Sequence, residues 1–218
     1  IAEGLWNATH RKGRHSRGSL VMDGCRRIAF IGNLFAHNNQ RHPLFKGGSS
    51  GLLLNNLIVN PGNRCIQMTS NGHGKHLGAP VTTVIGKVMA PGRNTRTGLF
   101  NGIGDMYARD NLILKKDGQP AKVKTYGKTR KLWHASLSAR PSAKVREHVL
   151  LNAGARPADR DSIDQRIVRQ CREGKGRIID SQDDVGGYPQ YEMTRRKLNI
   201  PENNIAQWLE QMAKRIEP

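Results

Sequence analysis

Residues 28–46 read Ile28-Ala-Phe-Ile-Gly-Asn-Leu-Phe-Ala-His-Asn-Asn-Gln-Arg-His-Pro-Leu-Phe-Lys46, and residues 52–60 read Leu52-Leu-Leu-Asn-Asn-Leu-Ile-Val-Asn60. Each segment joins an apolar run to an Asn that a second apolar run follows. A basic turn at residues 41–46 lies between them. Recurrence of one pattern at a spacing in the low twenties is typical of stacked repeats rather than of a closed globule. The sequence therefore predicts a solenoid whose chemistry lies at the basic turn.

Two weaker copies of the pattern follow at residues 86–90 and 110–114. The key positions 33, 56, 87 and 111 are separated by 23, 31 and 24 residues, and the loop at 71–78 would account for the longer spacing. Apolar residues alternate with smaller or polar ones, as in strands with one face on a core. The alternative fold, an antiparallel sandwich, gives no reason for Asn to recur. We expect an apolar column inside the solenoid, formed by Leu34, Leu57, Val88 and Leu112. We also expect an amide ladder at a turn, formed by Asn33, Asn56 and Asn111.

The positive charge is concentrated in one part of the chain. The formal net charge is +19, of which residues 1–150 carry +18 and residues 151–218 carry +1. A field of one sign attracts polyanions, so nucleic acid and acidic polysaccharide both fit, and basic adaptation for solubility is the alternative. Aromatic residues make up only 5% of the chain, which argues against base stacking on single strands. There is no apolar run of membrane-spanning length. Three cysteines show no metal-binding spacing, and Cys25 and Cys65 are interpreted as buried thiols.

The predicted fold class is all-β, a right-handed parallel β-helix with a C-terminal helical extension. We assign residues 1–150 to the solenoid, with its strands ending near residue 120, and 151–218 to the extension. Helices are predicted at 157–173, where Pro157 lies near the start and Gly174 ends the helix, and at 201–216. Their apolar stripes indicate that both helices cap the solenoid or pack along its flank.

These segments resemble the pectate lyases of polysaccharide lyase family one, a right-handed parallel β-helix family. The resemblance depends on the segments at 10–19, 33–47 and 55–60, and on 152–161 with 176–187, which look like the C-terminal extension of bacterial members. It covers roughly residues 1–62 and 150–190; the repeat alone assigns the middle of the chain.

The resemblance implies site residues. The family's Arg-x-Pro-x-x-Arg motif corresponds to Arg41-His-Pro-Leu-Phe-Lys46, with Arg41 as the catalytic base and Lys46 as a substrate-binding cation. Lys46 keeps the charge of the second Arg but loses its planar, bidentate fork. A family lysine that binds uronate resembles Lys12, and Arg11 or Arg14 is the alternative. His42 flanks Arg41 and either tunes the site, as a further substrate contact, or covers the fold.

The reaction implied is β-elimination on α-1,4-linked polygalacturonate with Ca²⁺ as cofactor. Calcium takes six to eight oxygen ligands, whereas residues 1–104 contain only Glu3 and Asp23 as acids. Glu3 is a candidate ligand, with a surface strand position as the alternative, and the other ligands are expected upstream of Ile1. We therefore expect a fragment, truncated at its N-terminus, with weak or no activity. The resemblance further implies a monomeric protein, secreted or periplasmic, with no membrane partner.

Two other function classes stay open. A non-catalytic β-helix that binds acidic glycans is favoured if the metal site is absent, and a nucleic-acid-binding protein is favoured only by the charge. A histidine metal site at residues 73–76, or at His10 with His15, lacks a recognised ligand set. A phosphate-binding loop at residues 98–104 lacks the strand–turn–helix context.

Overall fold

The computed structural model describes residues 1–11, 13–70, 77–115, 117–190, 197 and 199–215. The predicted loop at 71–78 and the histidines at 73 and 76 fall largely or wholly outside the described residues. In chain order the strands are β1 Leu20–Val21, β2 Ile28–Ile31, β3 Leu34–Ala36, β4 Leu44–Phe45, β5 Ser50–Leu54, β6 Leu57–Val59, β7 Ile66–Met68, β8 Val81–Ile85, β9 Val88–Ala90, β10 Phe100–Gly102, β11 Asp105–Arg109, β12 Leu112–Leu114 and β13 Pro120–Lys122.

The strands form three sheets that the chain visits in a fixed order. The first sheet has the order β1-β4-β7-β10, the second β11-β8-β5-β2, and the third β13-β12-β9-β6-β3. Consecutive strands lie in the first, second and third sheet in turn, and this order recurs four times before β13. All pairs up to β12 are parallel, and β13 adds an antiparallel edge strand to β12. The prediction of parallel pairing between the Asn33 and Asn56 repeats is therefore confirmed.

A core shared by all three sheets holds the strands together. Its fully buried aromatic members, Phe35 and Phe45, come from the third and the first sheet. Burying a side chain of this size contributes about 1.5–3 kcal/mol to stability. The other buried members are Val21, Leu53, Ile58, Cys65, Ile66, Met68, Val84, Met89, Leu99 and Ala108.

The predicted column of residues exists, but it faces the other way. Leu34 pairs in register with Leu57, Leu57 with Val88, and Val88 with Leu112. These four residues pack in a second cluster with residues of two helices, outside the shared core. The prediction that they line the interior is wrong, because helices cover the outer face of the third sheet. Both faces are therefore apolar, and alternation alone does not tell them apart.

The Asn ladder forms at the turn before the third sheet, with one interruption. Asn56 Oδ1 accepts hydrogen bonds from the backbone N–H (2.9 Å) and the side-chain amide (3.0 Å) of Asn33. Asn111 Oδ1 accepts from the Lys87 backbone N–H at 2.8 Å. Lys87 occupies the equivalent position in the intervening repeat and offers no side-chain acceptor. The ladder is thus confirmed for Asn33 and Asn56, whereas Asn111 bonds the backbone of Lys87 and does not join them.

Two helices pack together on the third sheet. The helix α1 (Ser142–Asn152) was not predicted, and the predicted boundary at residue 150 falls within it. It begins where Asp110 accepts hydrogen bonds from the backbone and hydroxyl of Ser142, at 2.9 and 2.6 Å. The helix α2 (Ser162–Glu173) begins later than predicted, at an Asp161 cap, and ends at Gly174 in the left-handed conformation as expected. A short 3₁₀ helix spans Gln182–Val185.

The chain divides into two compact units, Ile1–Gly187 and Tyr188–Pro218. The second unit contains helix α3 (Ile205–Lys214), within the predicted range of 201–216, and its predicted packing stays a prediction. No helix in the described part of the chain is long and apolar enough to cross a membrane. The cysteines are free; Cys65 is buried as expected, whereas Cys25 is exposed, so that interpretation is wrong.

Candidate active site

Arg41 is fixed by its backbone at the entrance to β4. It adopts a positive φ of 66°, which costs a non-glycine residue about 1 kcal/mol or more. Its N–H donates to Gln67 Oε1 at 2.9 Å, and its carbonyl accepts from the Ser19 N–H at 2.8 Å. Any side chain on Gly18 would collide with that carbonyl oxygen. Neighbours on both sides therefore hold Arg41 in a conformation that directs its side chain, as residues at functional sites often are held.

Arg41 is the middle member of an arginine column formed by Arg17, Arg41 and Arg64. Arg41 and Arg64 lie three positions before the paired residues Leu44 and Gln67, and Arg17 lies in the preceding repeat, where its β-bridge partner is Gln40. The column lines an open groove of about 480 Å³, together with residues that include Gln40, Gln67 and Asn101. Consecutive parallel strands are about 4.8 Å apart, so the column presents cations at a regular interval.

The electrostatics of the column suit an anionic ligand. Nε of Arg17 and Nε of Arg41 are buried and make no hydrogen bond within the described residues. Burial lowers the pKa of the Arg41 guanidinium, and the like charge of Arg17 lowers it further. A bound carboxylate would satisfy these donors and offset the repulsion between the two cations.

Lys46 does not join the arginine column. Its Nζ lies 2.9 Å from Asp23 Oδ2, and the side chains of Lys46 and Asp23 are 16% and 12% exposed. Lys46 is also not among the residues that line the groove. The structure does not bring Lys46 together with Arg41, because its charge is paired with Asp23, which the motif does not include.

His42 lies in the core and not among the residues that line the groove. Its side chain is fully buried, and its ring packs edge-on against Phe35 with the ring centroids 6.0 Å apart. Burial lowers its pKa to about 4. Successive side chains alternate in direction along the chain. Because the Arg41 side chain faces the groove, the next one, that of His42, enters the core beneath it.

The remaining candidate substrate-binding residues lie in the segment at 10–19, and they do not all line the same pocket. Lys12 lies outside the described residues. Arg14 is exposed and lies with its guanidinium carbon 5.6 Å from the Trp6 ring centroid, where it lines a different pocket from Arg41. Arg17 also belongs to the segment at 10–19, where the sequence suggested no role for it, and it lines the same groove as Arg41.

The candidate calcium ligand is already engaged. Glu3 accepts two hydrogen bonds from the Arg166 guanidinium, at 2.6 and 2.8 Å, in a largely buried ion pair. Among the described residues that line the groove there are three arginines and no carboxylate, and no group of three His, Cys, Asp or Glu side chains in the described ranges is placed to share a metal. Calcium prefers carboxylate and carbonyl oxygens, so these residues do not fit the ion.

Sequence reasoning missed Arg17, Arg64 and Gln67 as site residues. One signal was present, since Arg17, Arg41 and Arg64 are separated by 24 and 23 residues, the same period as the Asn ladder. Gln67 had no such signal, because its role depends on a hydrogen bond to the backbone of Arg41 in the preceding repeat. The chain matches no protein-family model, and a search of curated proteins finds no match.

Proposed function

We propose that the three sheets are the faces of a right-handed parallel β-helix and that the protein is a lyase of the pectate lyase type. Its substrate is α-1,4-linked polygalacturonate, and Arg41 is the base of a β-elimination. The single observation that carries the proposal is the arginine column, with Arg41 at its centre in an open groove. The fixed order in which the chain visits the three parallel sheets supports the β-helix.

A column of cations matches a polymer that carries one carboxylate on each sugar. Guanidinium groups on consecutive repeats engage neighbouring uronates, and the planar fork of arginine binds a carboxylate with two hydrogen bonds. Gln40 and Asn101, which also line the groove, supply polar groups for sugar hydroxyls. Binding therefore uses Arg17 and Arg64, and Arg41 remains for the proton at C5.

In the elimination, the neutral guanidine of Arg41 takes the C5 proton. The electron pair left on C5 forms the C4–C5 double bond as the C4–O4 bond breaks, and the O4 leaving group takes a proton from water. The C5 proton is weakly acidic, so Arg17 and Arg64 stabilise the charge that develops on the adjacent carboxylate. Since only neutral Arg41 accepts a proton, its lowered pKa favours the reaction and alkaline pH favours it further.

The experiment measures the absorbance of unsaturated uronate from polygalacturonate at alkaline pH. With Lys46 paired to Asp23, we expect slow turnover, below about 1 per second. Arg41→Ala should abolish product formation without changing the folded structure seen by circular dichroism. Arg26→Ala is the matched control, because Arg26 is an exposed arginine outside the groove. Equal product from wild type and Arg41→Ala would refute the assignment of the base.

A second candidate is a non-catalytic protein that binds acidic glycans. The ion pair of Lys46 with Asp23 favours it, because this pair removes one cation from the substrate face. Wild type would then bind oligogalacturonate in calorimetry with an affinity that depends on Arg17 and Arg64, yet release no unsaturated product. Nucleic-acid binding, the third class, predicts instead tighter binding to DNA than to uronate, with a steep dependence on salt.

A further inference from the structure

A second pocket, of about 390 Å³, opens beside the arginine column. We call it the Trp6 pocket; its lining residues include Trp6, Arg14, Asn39, Asn94, Arg96 and Asp180. It shares the chain segment of the column, because Asn39 lies two residues before Arg41.

The wall that carries Trp6 is held from two directions. The backbone N–H of Trp6 donates to the Ile179 carbonyl at 2.8 Å, and the backbone carbonyl of Trp6 accepts from the His15 backbone N–H at 2.9 Å. The Glu3–Arg166 ion pair fixes the same segment three residues earlier. The backbone that carries the half-buried indole is therefore fixed, and a flat aromatic surface of this kind packs well against the apolar face of a sugar ring.

Two asparagines that line the Trp6 pocket, Asn39 and Asn94, have their amide oxygens engaged within the protein. Asn39 Oδ1 accepts from the Asn63 N–H at 3.0 Å. Asn94 Oδ1 accepts from Asn60 Nδ2 and from the Ile178 N–H, each at 3.0 Å. Because both oxygens are used within the protein, the amide NH₂ groups are the donors left for a ligand, and neither makes a hydrogen bond in the described part of the chain.

Charge selects the kind of sugar. Arg14 and Arg96 contribute two cations against the single carboxylate of Asp180, so the Trp6 pocket has a net positive charge. The Asp180 carboxylate accepts hydrogen bonds from hydroxyl groups, whereas a guanidinium engages a carboxylate. An aromatic surface, amide donors, one acceptor and two arginines together complement a ring that carries both hydroxyls and a carboxylate.

We infer that the Trp6 pocket is an accessory binding site for one acidic sugar unit, a uronate, separate from the arginine column. The inference rests on the proposed function for the class of sugar, and it goes beyond it in giving the protein two uronate sites. The accessory site holds substrate at the surface while the column carries out the elimination.

The test is a titration of the ¹⁵N-labelled protein with digalacturonate, followed through the indole N–H resonances. The Trp6 resonance, assigned with Trp6→Phe, should shift saturably, whereas those of Trp133 and Trp208, which do not line the Trp6 pocket, should not. Arg96→Ala should weaken this binding at least tenfold. Arg93→Ala is the matched control, since Arg93 is equally exposed and lines other surfaces.

Two further ligands test which chemical groups the Trp6 pocket recognises. The methyl ester of digalacturonate lacks the charge, and it should shift Trp6 only at far higher concentration. Sulfate lacks the ring; an equal shift with sulfate would reduce the pocket to a general anion site and overturn the inference, as would an unmoved Trp6 resonance with digalacturonate.

The two proposals fail separately. A saturable Trp6 shift in a wild-type protein that forms no unsaturated product leaves the accessory site standing and removes the lyase. Product formation without any Trp6 shift leaves the lyase and removes the accessory site.

Discussion

The ammonium group of Lys87 lies 5.1 Å from the centroid of the Phe35 ring, inside the core shared by the three sheets. Lys87 is fully buried, and its Nζ makes no hydrogen bond within the described residues. Burial lowers its pKa to about 7, which the nearby Cys65 opposes. A cation–π contact of this kind offsets only part of the desolvation cost.

Stability should therefore depend on pH through Lys87. The unfolded lysine has a pKa of about 10.4, so between pH 7 and 10 the unfolded chain binds more protons than the folded one. The free energy of unfolding then rises with pH across this window, by a contribution on the order of 4 kcal/mol, and Lys87 adds no dependence below about pH 7. Lys87→Met should raise Tm at pH 7. It should also flatten the rise of the free energy of unfolding between pH 7 and 10, which denaturant unfolding at several pH values would measure. Lys122→Met, an exposed control, should do neither; parallel curves for wild type and Lys87→Met would refute the prediction.

Lys87→Asn should complete the amide ladder. An asparagine here offers an oxygen to the backbone of Asn56, as Asn56 does to Asn33 at 2.9 Å. Lys87→Ala removes the same buried charge but supplies no acceptor, so the difference between the two variants isolates the ladder. We expect Asn to be more stable than Ala by about 1–2 kcal/mol in urea unfolding. Equal stability would mean that the ladder does not extend across this repeat.

Arg17→Gln should shift the pH profile of elimination. Arg17 lowers the pKa of Arg41 by like-charge repulsion, so its removal raises that pKa and leaves less neutral Arg41 at any given pH. The alkaline rise of kcat should move to higher pH, while KM increases because a uronate contact is lost. Arg64→Gln is the control, since it should raise KM with little shift of the profile; a profile unchanged by Arg17→Gln would contradict the coupling.

Gly18→Ala should lower activity through Arg41. The new methyl group would meet the Arg41 carbonyl oxygen, which must move. We expect at least a tenfold fall in kcat, measured with the uronate assay, because a small displacement of the base is costly. Gly98→Ala is the matched control, since open space surrounds that position and its backbone is unstrained. Full activity in Gly18→Ala would show that the position of Arg41 is not critical.

Lys46→Ala should affect stability rather than binding. The variant removes the lysine from a largely buried ion pair, so unfolding in urea should become easier by about 3 kcal/mol. Affinity for oligogalacturonate, measured by calorimetry, should stay unchanged. The double variant with Asp23→Ala should recover part of the loss. Weaker binding of oligogalacturonate with unchanged stability would contradict this prediction and would show that Lys46 contacts the substrate.

The fold followed from the sequence where the repeat was strong. Asn33 and Asn56 predicted the register of the third sheet, because amide ladders need equivalent positions. The outward direction of Leu34 did not follow, since helix α1 covers that face and was itself not predicted. In the site, Arg41 followed from the motif. The pairing of Lys46 with Asp23 was missed, although these residues are 23 apart, as Asn33 and Asn56 are.

The distances in sequence between bonded residues set an order of assembly. Asn33 and Asn56 are 23 residues apart, whereas Glu3 and Arg166 are 163 apart. Each repeat closes a short loop on the one before it, so the sheets can grow stepwise with a small entropic cost at every step. The Glu3–Arg166 pair closes a loop of most of the chain and forms only after α2 has reached its place. We therefore expect the wall that carries Trp6 to become ordered after the sheets and to be released when α2 detaches.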